Sequence, residues 1–263
     1  IYFKRDSLAK ISNRQYILLN ILEAPLLGFI LAFLIRYIAD PNSKVYIFRE
    51  NENIPVYISM SMIVAMFLGL MVSGEEIFKD RKILKREAFL NLSRSSYLIS
   101  KIIILFILSA IQALLFVLVG NLILDIQGLW FEYWWALFSI ATFSNILGLN
   151  LSSAFNSAVT IYIMIPLVMI PQMALGGAMF SFDKLNRAIG SAEGVPPVCE
   201  FMATRWVYEG LMVRQFKDNK FEKDFFDLEQ KISIADFKNV YYFPEISDRL
   251  DYCLRVMPTD NDS

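Results

Sequence analysis

Residues 101–124 read KIIILFILSAIQALLFVLVGNLIL, with one charge at the first position and none after it. A bilayer core needs about 20 mostly apolar residues per helix, because lipid offers no partner to a backbone N–H or C=O left unpaired. This run is long enough to cross, and Tyr97 to Ser100 extend it to a span over 97–124. Four more stretches qualify on either side, at 16–39, 56–73, 133–153 and 158–180, the last two joined by a tight turn at 154–157. The composition agrees: 56% apolar, 14% aromatic and a mean hydropathy of +0.46 lie outside the soluble norm. The expected fold is an all-α membrane protein, a polytopic helical bundle with five spans in view. The chain opens at Ile1 rather than Met, so it reads as a piece of a longer protein, with a sixth span beyond its end.

Net charge is only -1, but it is unevenly placed. Residues 1–181 carry 14 basic and 11 acidic side chains, and 182–263 carry 11 and 15. The first part reads as the membrane domain, and 182–263 as an external loop with a small helical domain. Lys4, Arg5, Lys10 and Arg14 precede the first span, and Lys79, Arg81, Lys82, Lys85, Arg86, Arg94 and Lys101 lie between or beside the second and third. The opposite loops offer only Arg36, Lys44 and Arg49. Basic residues stay on the cytoplasmic side, so the N-terminus is expected inside a cell (inner or plasma) membrane and the tail outside. The chain contains no histidine, which removes the usual general base, metal ligand and nucleophile partner. No catalytic residue, metal site or nucleic-acid partner is expected.

Two ionisable side chains fall inside spans, where charge is costly and often functional. Glu23 lies about two turns into the first span and Lys101 at a similar depth in the third, and each is the other's expected partner; alternatively Lys101 snorkels to the headgroups. Gln112 and Asn145 are expected to join helices. In the fifth span Pro166, Pro171, Gly176 and Gly177 predict a kink and an early end, either at a helix contact or along a transport path. In the tail, Phe221, Phe225, Leu228 and Ile232 recur at helical spacing, as do Ile246, Leu250, Cys253 or Leu254, and Met257. Cys199 and Cys253 lie where an oxidising compartment would permit a bridge; two free thiols are the other reading.

The stretch 74–96, GEEIFKDRKILKREAFLNLSRSS, is too charged to insert and should lie along the membrane face. Ile77, Leu84, Ala88 and Leu92 make an apolar stripe flanked by Phe78 and Phe89, although Ile83 and Leu90 point away. Physics alone leaves two roles open, a topology signal or a docking segment. The run from Glu75 through Glu87 and on to Tyr97, Ser100 and Lys101 resembles the loop after the second span of ABC transporters of the subfamily G type, the type 2 ABC export permeases. Residues 205–216, RWVYEGLMVRQF, resemble that family's external segment after the fifth span, and Gly176 and Gly177 stand where its fifth helix ends. The likeness covers about residues 10–216.

That resemblance implies a permease half of an ATP-driven exporter working by alternating access. Two membrane halves, here a homodimer, would pair in lipid, each receiving an ABC ATPase domain fused upstream. ATP and Mg would be held there, since this chain has no phosphate-binding loop of its own. Glu75, Glu76, Asp80, Arg81, Lys82, Lys85, Arg86 and Glu87 would couple to the ATPase by charge pairing. Family cavity positions carry over to Leu68, Ile170 and Met173, and the apolar plug to Ala178 and Met179. Their soft side chains imply an apolar or amphipathic substrate. A membrane anchor or sensor with a partner-binding tail is the competing class; a membrane-embedded enzyme is disfavoured because Glu75 and Glu76, adjacent on a helix, do not face one site.

Overall fold

Each helix begins and ends where the local sequence requires it. In the computed structural model, which describes residues 2–38, 51–87, 93–186, 190, 194–220 and 222–256, a short helix α1 (Tyr2–Ser12) stops at Asn13. The Asn13 side chain then accepts from the Tyr16 amide at 3.1 Å and caps α2 (Arg14–Ile35). Pro55 stands in the first turn of α3 (Ile54–Gly74), where a missing N–H costs nothing. The charged α4 (Glu76–Glu87) follows across Glu75. Ser93 caps α5 (Arg94–Ile123), and α6 (Trp130–Ala154) and α7 (Ala158–Ala174) complete the apolar set.

Helices α2, α5 and α6, and the run through α3, are long and apolar enough to cross a membrane. Helix α7 is shorter at 17 residues. It runs through Pro166 and Pro171 and stops at Ala174, short of the expected boundary near 180. Leu175 caps it, its amide donating to the Pro171 carbonyl, and in the segment that follows Gly177 takes a φ of +79°, with the Phe182 ring so close that a Cβ would sit 2.8 Å from it.

The bundle is assembled around α3. Small residues let it approach α6: a Cβ on Gly69 would lie 2.7 Å from the Ala141 carbonyl oxygen, and one on Gly148 would strike the Ser73 hydroxyl. Apolar side chains have no reason to prefer one another over lipid tails, so this close backbone contact supplies the packing. Polar side chains add specific joints. Gln112 Nε2 donates to the Asn20 carbonyl at 3.0 Å, and Asn145 Nδ2 to Ser109 Oγ at 2.7 Å, tying α5 to α2 and α6 as expected.

The chain divides into two compact units, Ile1–Gln215 and Phe216–Ser263, so the expected boundary at 181/182 moves. The cause is visible in α9 (Ala203–Lys217), which follows a single turn, α8 (Pro197–Glu200). Thr204 Oγ1 donates to the Gln172 carbonyl at 2.6 Å, Tyr133 OH donates to Gln215 Oε1 at 2.7 Å, and Leu211 is buried. These contacts make α9 part of the bundle's first unit.

In the second unit, α10 (Phe226–Phe237) and α11 (Phe243–Val256) are joined by a π-helical turn at Lys238–Tyr242. Two helices form as the periodicity predicts, but none of this unit's described side chains is buried. Cys199 is buried, Cys253 is exposed, and both are free thiols. Expectations placed on Lys44, Arg49, Ala88, Phe89, Leu90, Leu92, Phe221 and Met257 lie outside the described residues.

The α3–α6 contact makes a direct prediction. Gly69→Ala should destabilise the protein by about 1–3 kcal/mol, because the obstacle is backbone and cannot swing away. Gly210→Ala, with nothing within 4 Å of the added carbon, should instead gain up to about 1 kcal/mol. Thermal unfolding in detergent reads both; equal melting shifts would refute the packing account.

Candidate functional site

Helix α4 meets the bundle through its acidic residues and one arginine. Glu76 Oε1 accepts from Lys10 Nζ of α1 at 2.6 Å, and Glu76 Oε2 accepts from Lys101 Nζ of α5 at 3.0 Å. One turn on, Asp80 Oδ2 lies 2.8 Å from the same Lys101 nitrogen and accepts from Tyr97 OH at 2.9 Å. Asp6 of α1 completes the set, its Oδ1 2.9 Å from Lys101 Nζ. Lys101 is only 3% exposed, so a single ammonium faces three carboxylates drawn from two short helices.

The other side of α4 is fixed to the α6–α7 corner. The Ile77 and Phe78 amides donate to Ser152 Oγ at 3.0 and 2.9 Å, so a residue 75 positions away caps the helix. Arg81 donates to the Ser153 carbonyl at 2.6 Å and to Asn156 Oδ1. Glu75 pairs with Lys79 and accepts from Tyr162 OH of α7. Burial pushes the Glu75 carboxyl up, but the Lys79 and Tyr162 hydrogen bonds and the Lys79 charge outweigh it and hold the group below its ordinary value.

What remains outward is basic. Lys79, Lys82 and Arg86, three and four residues apart, share one face of α4, and Lys85 stands beside them; all are exposed. Of the eight expected coupling residues, Glu75, Glu76, Asp80 and Arg81 therefore turn into the protein, while Lys82, Lys85 and Arg86 face outward. The Glu87 side chain lies outside the described residues. Lys79, read from the sequence as a topology signal but not as a coupling residue, belongs to the outward face; its i,i+3 and i,i+7 spacing to Lys82 and Arg86 was the available signal.

The expected Glu23–Lys101 pair does not form. Lys101 sits beside Lys10, whose Nζ is 5.5 Å from the Tyr16 ring, and Glu23 lies seven residues, about 10 Å, further along α2. Carboxylates on α1 and α4 reach the ammonium first, at the edge of the apolar layer, where less desolvation is required.

Residues 1–216 match the family model of the ABC-2 type transporter. The chain belongs to that family. A comparison with curated proteins finds no match. The protein is thus a multi-pass membrane protein and the permease component of an ABC transporter, a transport rather than a catalytic domain.

In this ABC-2 permease the five expected substrate-path residues do not share one surface. Leu68 is buried and lines a cavity of about 10 Å³ between α3, α5 and α6, room for about one water. Its neighbour Gly69 draws α3 onto α6 and closes that face, so Leu68 is a packing residue here. Met173 and Ala178 line a second small cavity beside Gly176 and Thr204. Ile170 and Met179 are exposed on the surface of the bundle.

The cap from Ser152 is separately testable. Ser152→Ala should loosen the first turn of α4 by about 1 kcal/mol, read as roughly five-fold faster hydrogen exchange at the Ile77 and Phe78 amides. Unchanged exchange would mean that the contact holds nothing.

Proposed function

We propose that this permease is one half of an ATP-driven exporter of the subfamily G type, and that the outward face of α4 is where its ATPase partner docks. The observation that carries the reading is the division of charge on α4: among its described side chains the acids Glu76 and Asp80 are paired with Lys10 and Lys101, Lys79 pairs with Glu75, and Lys82, Lys85 and Arg86 remain outward for a partner. A helix held at both its α1 and α6 sides and basic on its outward side is suited to receive an acidic surface and pass its displacement inward. The same basic excess supports a cytoplasmic position for α4 and for the N-terminus, in a cell or inner membrane.

ABC-2 permeases generally pair with an ABC ATPase and dimerise. Here a second copy of the chain would supply the other half, with the transport path between the copies, and ATP with its Mg would be held by the ATPase. Ile170 and Met179, apolar and exposed, are the carried-over positions available to such a path, with Met173 and Ala178 behind them. Their character fits an apolar or amphipathic substrate, moved outward by alternating access as the α4 segments are driven.

Reversing the outer charges tests the docking. In the assembled transporter, Lys82→Glu with Lys85→Glu and Arg86→Glu should weaken ATPase association at least about ten-fold, while membrane insertion is unchanged. Co-purification of the ATPase and ATP hydrolysis by the complex are the readouts. Wild-type association, or protease mapping that puts Lys79 to Arg86 outside the cell, would overturn the reading in favour of a membrane anchor.

A further inference from the structure

The proposed docking accounts for the outer face of α4 but not for the lysine buried behind it. Lys101 Nζ lies 2.8–3.0 Å from carboxylates on two separate helices, Asp6 of α1 and both Glu76 and Asp80 of α4, and is itself anchored two turns into α5. Lys10 closes the loop by bonding Glu76 directly, and the Tyr2 and Tyr97 rings meet edge to face at 5.8 Å. We propose that Lys101 is a positioning residue that pins α1 and α4 together, so that the two move as one body and load α5 as well as α3.

The chemistry favours a pin over a simple anchor. Three carboxylates converge on the site with Lys10 and Lys101 as the cations beside them, so the cluster carries one more acid than base. Without the central ammonium, Asp6 would be repelled by Glu76 and Asp80, and α1 would be held to α4 loosely, through Lys10 and Glu76. Lys101 Nζ thereby carries most of the α1–α4 connection, with the Lys10–Glu76 bond as the one direct link beside it among the described residues. A connection by covalent chain alone would not do this: α4 leaves α3 through Glu75, and α1 leaves α2 through Asn13, so each could swing on its own joint.

The inference rests on the reading that ATP drives α4, and the experiment separates the two. Spin labels would be placed at the exposed positions Leu8 of α1 and Ile83 of α4 together, and at Ile83 alone in both copies, in the assembled transporter carrying Cys199→Ala and Cys253→Ser. The Leu8–Ile83 distance should stay within about 2 Å when ATP and vanadate are added, while the Ile83–Ile83 distance between the two copies shifts by more. In Lys101→Met the Leu8–Ile83 distribution should broaden even without nucleotide, and Lys101→Arg should restore it.

A Leu8–Ile83 distance that moves with nucleotide in the unmodified cluster, or stays narrow in Lys101→Met, overturns the pin. A constant Ile83–Ile83 distance between the copies instead removes the ATP-driven movement of α4 and leaves the resting-state comparison to judge the pin. Should Lys101→Met not fold, adding Asp6→Asn, Glu76→Gln and Asp80→Asn removes the repulsion. The same broadening is then expected, and a narrow distribution again overturns the proposal.

Discussion

A lysine near the end of a 30-residue apolar helix cannot leave its charge unpaired once neighbouring helices cover it, and at 3% exposure Lys101 is covered. Everything at that end of the bundle follows from satisfying it. Helix α1 must lie where Asp6 and Lys10 reach the cluster, and α4 must turn Glu76 and Asp80 inward, one turn apart on the same face. With the acids committed, helical geometry sends Lys79, Lys82 and Arg86 about a quarter turn or more away, to the outward face. The basic outer face is thus a consequence of the buried cation as much as of the composition of α4.

Displacement of α4 would reach the bundle by hydrogen bonds that leave little slack. Ser152 holds the first turn of α4 and Arg81 grips the following carbonyl, so the end of α6 is bound to it. Helix α6 is 25 residues long, about 37 Å of continuous helix. Near its other end Tyr133 donates to Gln215 of α9, and α9 is bonded to α7 through Thr204 and Gln172. The tight seam of Gly69, Ser73 and Gly148 keeps α3 from sliding along α6. A bundle joined in this way transmits a push along its length instead of absorbing it locally.

The cavity positions show how a family correspondence depends on packing. Leu68 and Ile170 are equally apolar in sequence, yet one is enclosed and the other open. Gly69 permits an approach that seals α3 against α6 around Leu68, whereas Ile170 stands on a face of α7 that no other described helix covers.

The sequence by itself determined the class of the protein, because the cost of an unpaired backbone in lipid makes any long uncharged run a helix. It placed the spans to within a few residues, marked Gly176 and Gly177 as the end of α7, and isolated 74–96 as the segment with chemistry to offer. It also indicated that Lys101 needs a partner. Which partner was decided only by the tertiary structure, since an ion pair is chosen by distance and desolvation in space, and Asp6 and Glu76 stand 95 and 25 positions away in the chain. For the same reason the sequence could list the charges of α4 but not sort them: residues a few positions apart fall on opposite faces, and only the neighbours they meet divide those that hold the helix from those left free for a partner.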